Sequence, residues 1–259
     1  MKSNLLLTTF LALVLASLCP LVVSAEAGFS TNGHATVEAS NKTDPLDPEN
    51  PLQPVDPGES PSTVGDLRID FVSAINFAET KITETNRRYS SLAQLFFDGT
   101  PARGSYVQVT DLRSGAPGWT LQLKQTTQFK NGDSIELNGA RLSFDKGWAN
   151  SGGTGTAPAV FRDTISIDEI GSSYQVASAA TGAGNGTWLL SFGASATNKG
   201  SQETSLTALT GKDGKPMIDS LYQKQAYSNS AITLSVPDKT TILPGDYQTE
   251  LTWILQATP

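Results

Sequence analysis

Residues 247–256 read YQTELTWILQ, and the two-residue period in this stretch decides the fold class. Tyr247, Thr249, Leu251, Trp253 and Leu255 fall on one side, opposed by Gln248, Glu250, Thr252, Ile254 and Gln256. In an extended strand residues i and i+2 share a face, so Trp253 and Leu255 form one contiguous apolar patch. Upstream, residues 118–125 read GWTLQLKQ and repeat the device: Trp119, Leu121 and Leu123 alternate with Thr120, Gln122 and Lys124. Both stretches share Trp-x-Leu-Gln.

The same alternation recurs along the chain. It marks strands in LRIDF (67–71), YVQVTDL (106–112), ARLSF (140–144), DTISI (163–167), SYQVAS (173–178), TWLLSF (187–192) and AITLSV (231–236). Turn dipeptides punctuate them at Asp98-Gly99, Asn131-Gly132, Asn138-Gly139, Asp213-Gly214 and Pro244-Gly245. A 3.6-residue period is nearly absent; SSLAQLFFD (90–98) alone suggests a brief helix. The expectation is an all-β, β-sandwich-like single domain over 62–259.

Two segments precede that domain. Residues 1–25 read as a secretory signal peptide: Lys2 supplies charge, Leu5 to Leu18 is nearly continuous apolar sequence, and small residues follow at Ser24 and Ala25. The single Cys19 lies inside it with Leu18 before it, which departs from a lipoprotein signal. The mature chain therefore has neither disulfides nor thiolate metal sites, and no membrane insertion is expected after cleavage. Residues 26–61 form an acidic leader with seven acidic residues and one lysine. Prolines at 45, 48, 51, 54 and 57 match the period of polyproline II, which predicts a disordered or extended solvated rod, on the order of 50 Å long at ~3.1 Å per residue.

Charge and composition remove several function classes. From Ser62 onward 18 acidic and 16 basic residues nearly balance, without the cationic surplus that nucleic acid requires. The one histidine, His34, lies in the leader, so no Ser-His-Asp, Cys-His or histidine-rich zinc arrangement can be built in the domain. No phosphate loop or dinucleotide fingerprint is present. KNGDSIE (130–136) lacks calcium-loop spacing and reads as a tight hairpin turn. A carboxylate pair for glycoside hydrolysis is conceivable among Asp145, Asp163, Asp168 and Glu169, yet no spacing singles one out. The expectation is a non-enzymatic protein without cofactor or metal.

Taken together, the signal, the acidic proline segment, the Trp119-x-Leu121 motif and the closing Tyr247…Leu251-Thr252-Trp253-x-Leu255 pattern resemble the WxL-domain surface proteins of low-GC Gram-positive bacteria. The resemblance implies a domain at the cell surface, attached non-covalently to the cell wall, with peptidoglycan or another wall glycan as ligand. It also implies a possible membrane-anchored WxL-interacting protein partner, through which retention could be indirect. Trp119, Leu121, Tyr247, Trp253 and Leu255 carry over as motif and candidate wall-binding residues. Two readings of the motif faces stand. Each Trp and Leu could be sandwich core, contributing roughly 2–3 kcal/mol apiece. Alternatively the indoles could stay exposed and stack on sugar rings.

Overall fold

The computed structural model describes residues 26–30, as backbone, and 43–258. The signal-peptide assignment (1–25) and His34 lie outside the described residues. Among those described there is no helix, and every paired strand is antiparallel.

Three sheets enclose the main core. The first has the order β1 (Glu26–Ser30), β18 (Leu251–Ala257), β7 (Trp119–Gln125), β12 (Ser173–Ala179) and β10 (Ala159–Val160). The second contains β4 (Leu67–Val72), β6 (Ser105–Asp111), β13 (Gly186–Phe192) and β9 (Gly147–Asn150). The third runs β11 (Ile165–Ser166), β8 (Arg141–Phe144), β17 (Tyr227–Ser235) and β14 (Leu206–Ala208), with β5 (Arg88–Leu92) also paired to β17. Two small hairpins complete the set: β2 (Leu46–Asp47) with β3 (Asn50–Pro54), and β15 (Ile218–Asp219) with β16 (Lys224–Gln225). The all-β expectation thus holds, as several antiparallel sheets with three of them around the core.

The core explains the alternation read from the sequence. Leu121, Leu123 and Trp253 from the first sheet meet Ile69, Val109 and Leu190 from the second and Leu142, Phe144 and Ile232 from the third. A bulge in β4 between Ile69 and Phe71 changes which face the chain serves. Ile69 and Val72 enter the main core, whereas Phe71 joins Tyr106, Leu189, Phe96 and Val55 in a second cluster. All six residues of β4 are buried, so Arg68 and Asp70 do not face solvent as simple alternation implies.

What covers them is the segment read as a free rod. Residues 43–61 are not an extended, disordered spacer; they dock on the second sheet, and this corrects the linker expectation. The Leu46 N–H donates to Gln108 Oε1 (2.8 Å), Gln108 Nε2 donates to the Asp44 carbonyl (3.1 Å), and Arg68 Nη2 donates to Thr43 Oγ1 (2.6 Å). Asp47 is buried and accepts two bonds from Arg103, at 2.7 and 2.8 Å, while Glu49 pairs with the same guanidinium at 3.2 Å. A bidentate guanidinium–carboxylate pair is strong and directional, and the Val55 side chain enters the second core cluster beside it. Those contacts outweigh the stiffness of spaced prolines. The leader's first part also departs from disorder, since β1 pairs with β18 from Glu26↔Gln256 to Ser30↔Thr252.

The brief helix over 90–98 does not form either. Its backbone N–H groups have distant partners: Leu92 donates to the Asn76 carbonyl (2.7 Å), Ala93 to Tyr227 (2.8 Å) and Gln94 to Arg103 (2.9 Å). Tertiary pairing overrides a weak local preference.

Candidate functional site

The two tryptophan strands are direct neighbours. β18 pairs with β7 so that Trp253 opposes Leu123, Leu255 opposes Leu121, and Ala257 opposes Trp119. Widely separated motifs therefore merge into one apolar surface, and that surface points inward. Trp119 and Leu121 are fully buried, and Trp253 and Leu255 are each 1% exposed. The two indoles differ in their surroundings. Trp119 Nε1 donates to the buried Gly184 carbonyl at 3.1 Å. Trp253 stands edge-on to Phe144 (centroids 6.2 Å apart, 84° between planes) and tilted on Phe192 at 6.5 Å. Its Nε1 has no hydrogen-bond partner among the described residues.

Gly184 is required by this packing. Its φ is +71°, and a Cβ there would lie 2.5 Å from Ala179 Cβ and 2.7 Å from Trp119 Nε1. The site of closest approach thus needs both a left-handed backbone and a missing side chain.

Tyr247, the fifth motif position, takes another path. The β18 ladder starts at Leu251, and residues 248–250 make separate pairings with Thr126 and Lys130. Tyr247 is therefore not a member of the buried tryptophan face. It is half-buried in a smaller cluster with Phe129, Leu137, Leu234, Val236, Phe77 and Tyr89. Its Oη accepts from the Leu243 N–H and donates to the Leu243 carbonyl, both at 3.1 Å, which fixes the ring against its own turn.

Above this cluster opens a groove of about 960 Å³. One wall is the segment 74–82 following β4; the other is the turn 242–249 leading into β18. Its floor is aliphatic and aromatic, and its rim carries exposed Asn76, Glu79, Lys81, Asp246 and Gln248. Leu251 lines the groove and also belongs to the main core, which ties the cleft to the motif strand. The periodic pattern missed the groove because its two walls are irregular segments far apart in the sequence.

A second surface lies by the β15–β16 hairpin. Phe97 is 47% exposed and packs on Tyr222 at 4.7 Å, with Met217, Ile218 and Leu221 exposed nearby. Burial, together with the Asp219 and Asp56 charges, pushes the Tyr222 phenol above its ordinary value despite a hydrogen bond from Gln94. At Asp98 burial acts upward, but hydrogen bonds from Thr100 and the Asp56 N–H, aided by Lys224, hold the carboxyl below its ordinary value. The sequence could have flagged this patch only through the adjacent Phe96-Phe97 pair.

Three of the four candidate acids are occupied locally. Asp168 ion-pairs with Arg141 at 3.3 Å, Glu169 accepts from Ser172, and Asp145 accepts from the Lys146 N–H. Asp163 is exposed. Residues 130–136 form the expected tight turn, with Asn131 Oδ1 accepting from Asp133 and Ile135. No group of metal-ligating side chains occurs among the described residues.

A family model described as WxL domain, surface cell wall-binding, matches residues 24–259 of the chain. No curated protein and no solved structure matches.

Proposed function

Because the chain belongs to the WxL-domain family of surface cell wall-binding proteins, we propose that it is a non-enzymatic module that holds to the wall of a Gram-positive cell non-covalently, through peptidoglycan. The observation that carries this reading is the family match across the mature chain, with its two defining motifs paired in register in one sheet. Secretion through the segment 1–25 would deliver it there. The structure supports a framework role for Trp119, Leu121, Trp253 and Leu255: they fix the sheet, and accessible groups elsewhere meet the wall. The near balance of charge in the domain favours an uncharged glycan over anionic wall polymers.

The test is co-sedimentation of the purified mature protein with isolated sacculi at physiological salt. Retention on protein-free sacculi is expected, without release of reducing sugar. Protein left in the supernatant would refute peptidoglycan attachment.

A second reading is docking to a surface protein such as a WxL-interacting partner, with indirect wall retention. The exposed Phe97, Met217, Ile218 and Leu221 beside Tyr222 favour it, since clustered apolar surface commonly marks protein contacts. Under that reading retention is lost once proteins are stripped from the wall.

A further inference from the structure

Four motif side chains are sealed in the core, so contact with the wall has to be made by other groups. We infer that the groove between residues 74–82 and 242–249 is a glycan-binding site. Its ligand is an uncharged, N-acetylated sugar strand held against Tyr89, Tyr247 and Phe77. This inference rests on the wall-attachment reading and gives it a place.

Three observations converge on the groove. The first is aromatic supply. Phe77, Tyr89 and Tyr247 line the groove and are each half-buried. Tyr247 is pinned through its hydroxyl to Leu243, and Phe77 rests edge-on against Phe129 at 6.4 Å and 74°. Rings held before the ligand arrives lose little conformational freedom on binding, which favours affinity. Sugar rings present flat C–H faces that pack on such surfaces, while amide and hydroxyl groups at their edges need polar partners. Exposed Asn76, Thr80 and Gln248 on the rim offer those partners.

The second is charge. Phe129, Leu137, Leu234 and Val236 make a floor without any charged group, and the rim charges Glu79, Lys81 and Asp246 are of mixed sign and exposed. A neutral chain suits this pattern. A phosphate polymer would meet two carboxylates against one ammonium, and a cationic segment would find no buried counter-charge.

The third is size and attachment. The volume of about 960 Å³ lies in the range of small-ligand sites and accommodates several sugar units. One wall continues through Leu251 into the strand of Trp253, so the buried motif sets the position of the cleft. The competing surfaces fit less well. The outer face of β7 and β18, with Thr120, Gln122, Lys124, Thr252 and Ile254, carries no aromatic ring. The Phe97–Tyr222 pair has aromatic surface but lies among Asp56, Asp98 and Asp219.

The experiment uses the full mature chain, N-acetylglucosamine tetrasaccharide as soluble probe and sacculi as the solid one. Amide shifts on titration with the tetrasaccharide are expected at 76–82, 89 and 247–249, saturating with ligand. Ala74→Trp, which adds bulk at an exposed rim position, should weaken sacculus binding at least tenfold with the unfolding midpoint preserved; Tyr89→Ser should weaken it as much per folded molecule, with a lowered midpoint because its ring packs on the Phe129 cluster. Tyr247→Ala should do the same but risks loosening its turn, so the rim variant decides. Sacculus binding within twofold of wild type in both Ala74→Trp and Tyr89→Ser would overturn the site while leaving wall attachment intact. Failure of the unmodified protein to bind sacculi would refute the attachment reading, and the tetrasaccharide titration would then judge the groove alone. Shifts confined to another surface, or none, would overturn it.

Discussion

Replacing each motif tryptophan by phenylalanine separates two environments that look identical in the sequence. Either substitution removes part of a buried ring system and should cost about 1–2 kcal/mol, between a methylene deletion and full truncation to alanine. At Trp253 that is the whole expected effect, since its Nε1 has no partner among the described residues to lose. At Trp119 the change also strips the donor from the buried Gly184 carbonyl, 3.1 Å away. An orphaned buried polar group costs a further ~1–3 kcal/mol. Trp119→Phe should therefore be less stable than Trp253→Phe by about 1.5 kcal/mol. With a urea m-value of about 2 kcal/mol/M, the midpoints would differ by roughly 0.7 M. Equilibrium urea unfolding with matched m-values measures this directly. Equal destabilisation, or a larger loss at Trp253, would refute the assignment of the two indoles. Sacculus retention per folded molecule should be unchanged in both variants, because neither indole reaches the surface. Loss of retention in a fully folded Trp253→Phe would contradict the framework role.

Arg103→Ala leaves Asp47 and Glu49 without their buried counter-charge and should cost about 3–5 kcal/mol; limited proteolysis should then cut within 44–54, where the parent resists. Gly184→Ala combines a Cβ contact of 2.5 Å with a left-handed backbone, so a loss of about 2–4 kcal/mol is expected, read as a fall in thermal midpoint. Burial, reinforced by Asp47, Tyr222 and Asp98, raises the Tyr106 phenol well above its ordinary value of 10.0. A raised folded value means that this contribution is complete below pH 10 and is lost as pH rises beyond it. Tyr106→Phe should extend the alkaline stability limit while costing little at neutral pH, because the hydroxyl has no partner among the described residues. Alkaline denaturation at equal ionic strength checks it, and an unchanged limit would count against the buried phenol.

Strand identity was legible wherever one face meets the core and the other meets solvent. The alternations in 119–125 and 251–257 reappear as buried and half-buried positions in the structure, because a period of two maps directly onto a sheet with one buried face. The same logic misread 67–72, where a bulge and a covering segment bury both faces. The proline leader was misread for the converse reason. Asp47 and Glu49 look like solvated charges until the fold brings Arg103 to them from more than fifty positions away.

What the sequence determined by itself was the all-β class, most of the longer strands and the family, since these rest on local periodicity and on motifs in fixed order. Only the tertiary structure decided that the tryptophans face inward, that residues 43–61 belong to the domain, and where Tyr247 stands. Each of those outcomes depends on which distant surface arrives to cover a face. A face alternating along one strand says which residues share a side, and says nothing of what meets them.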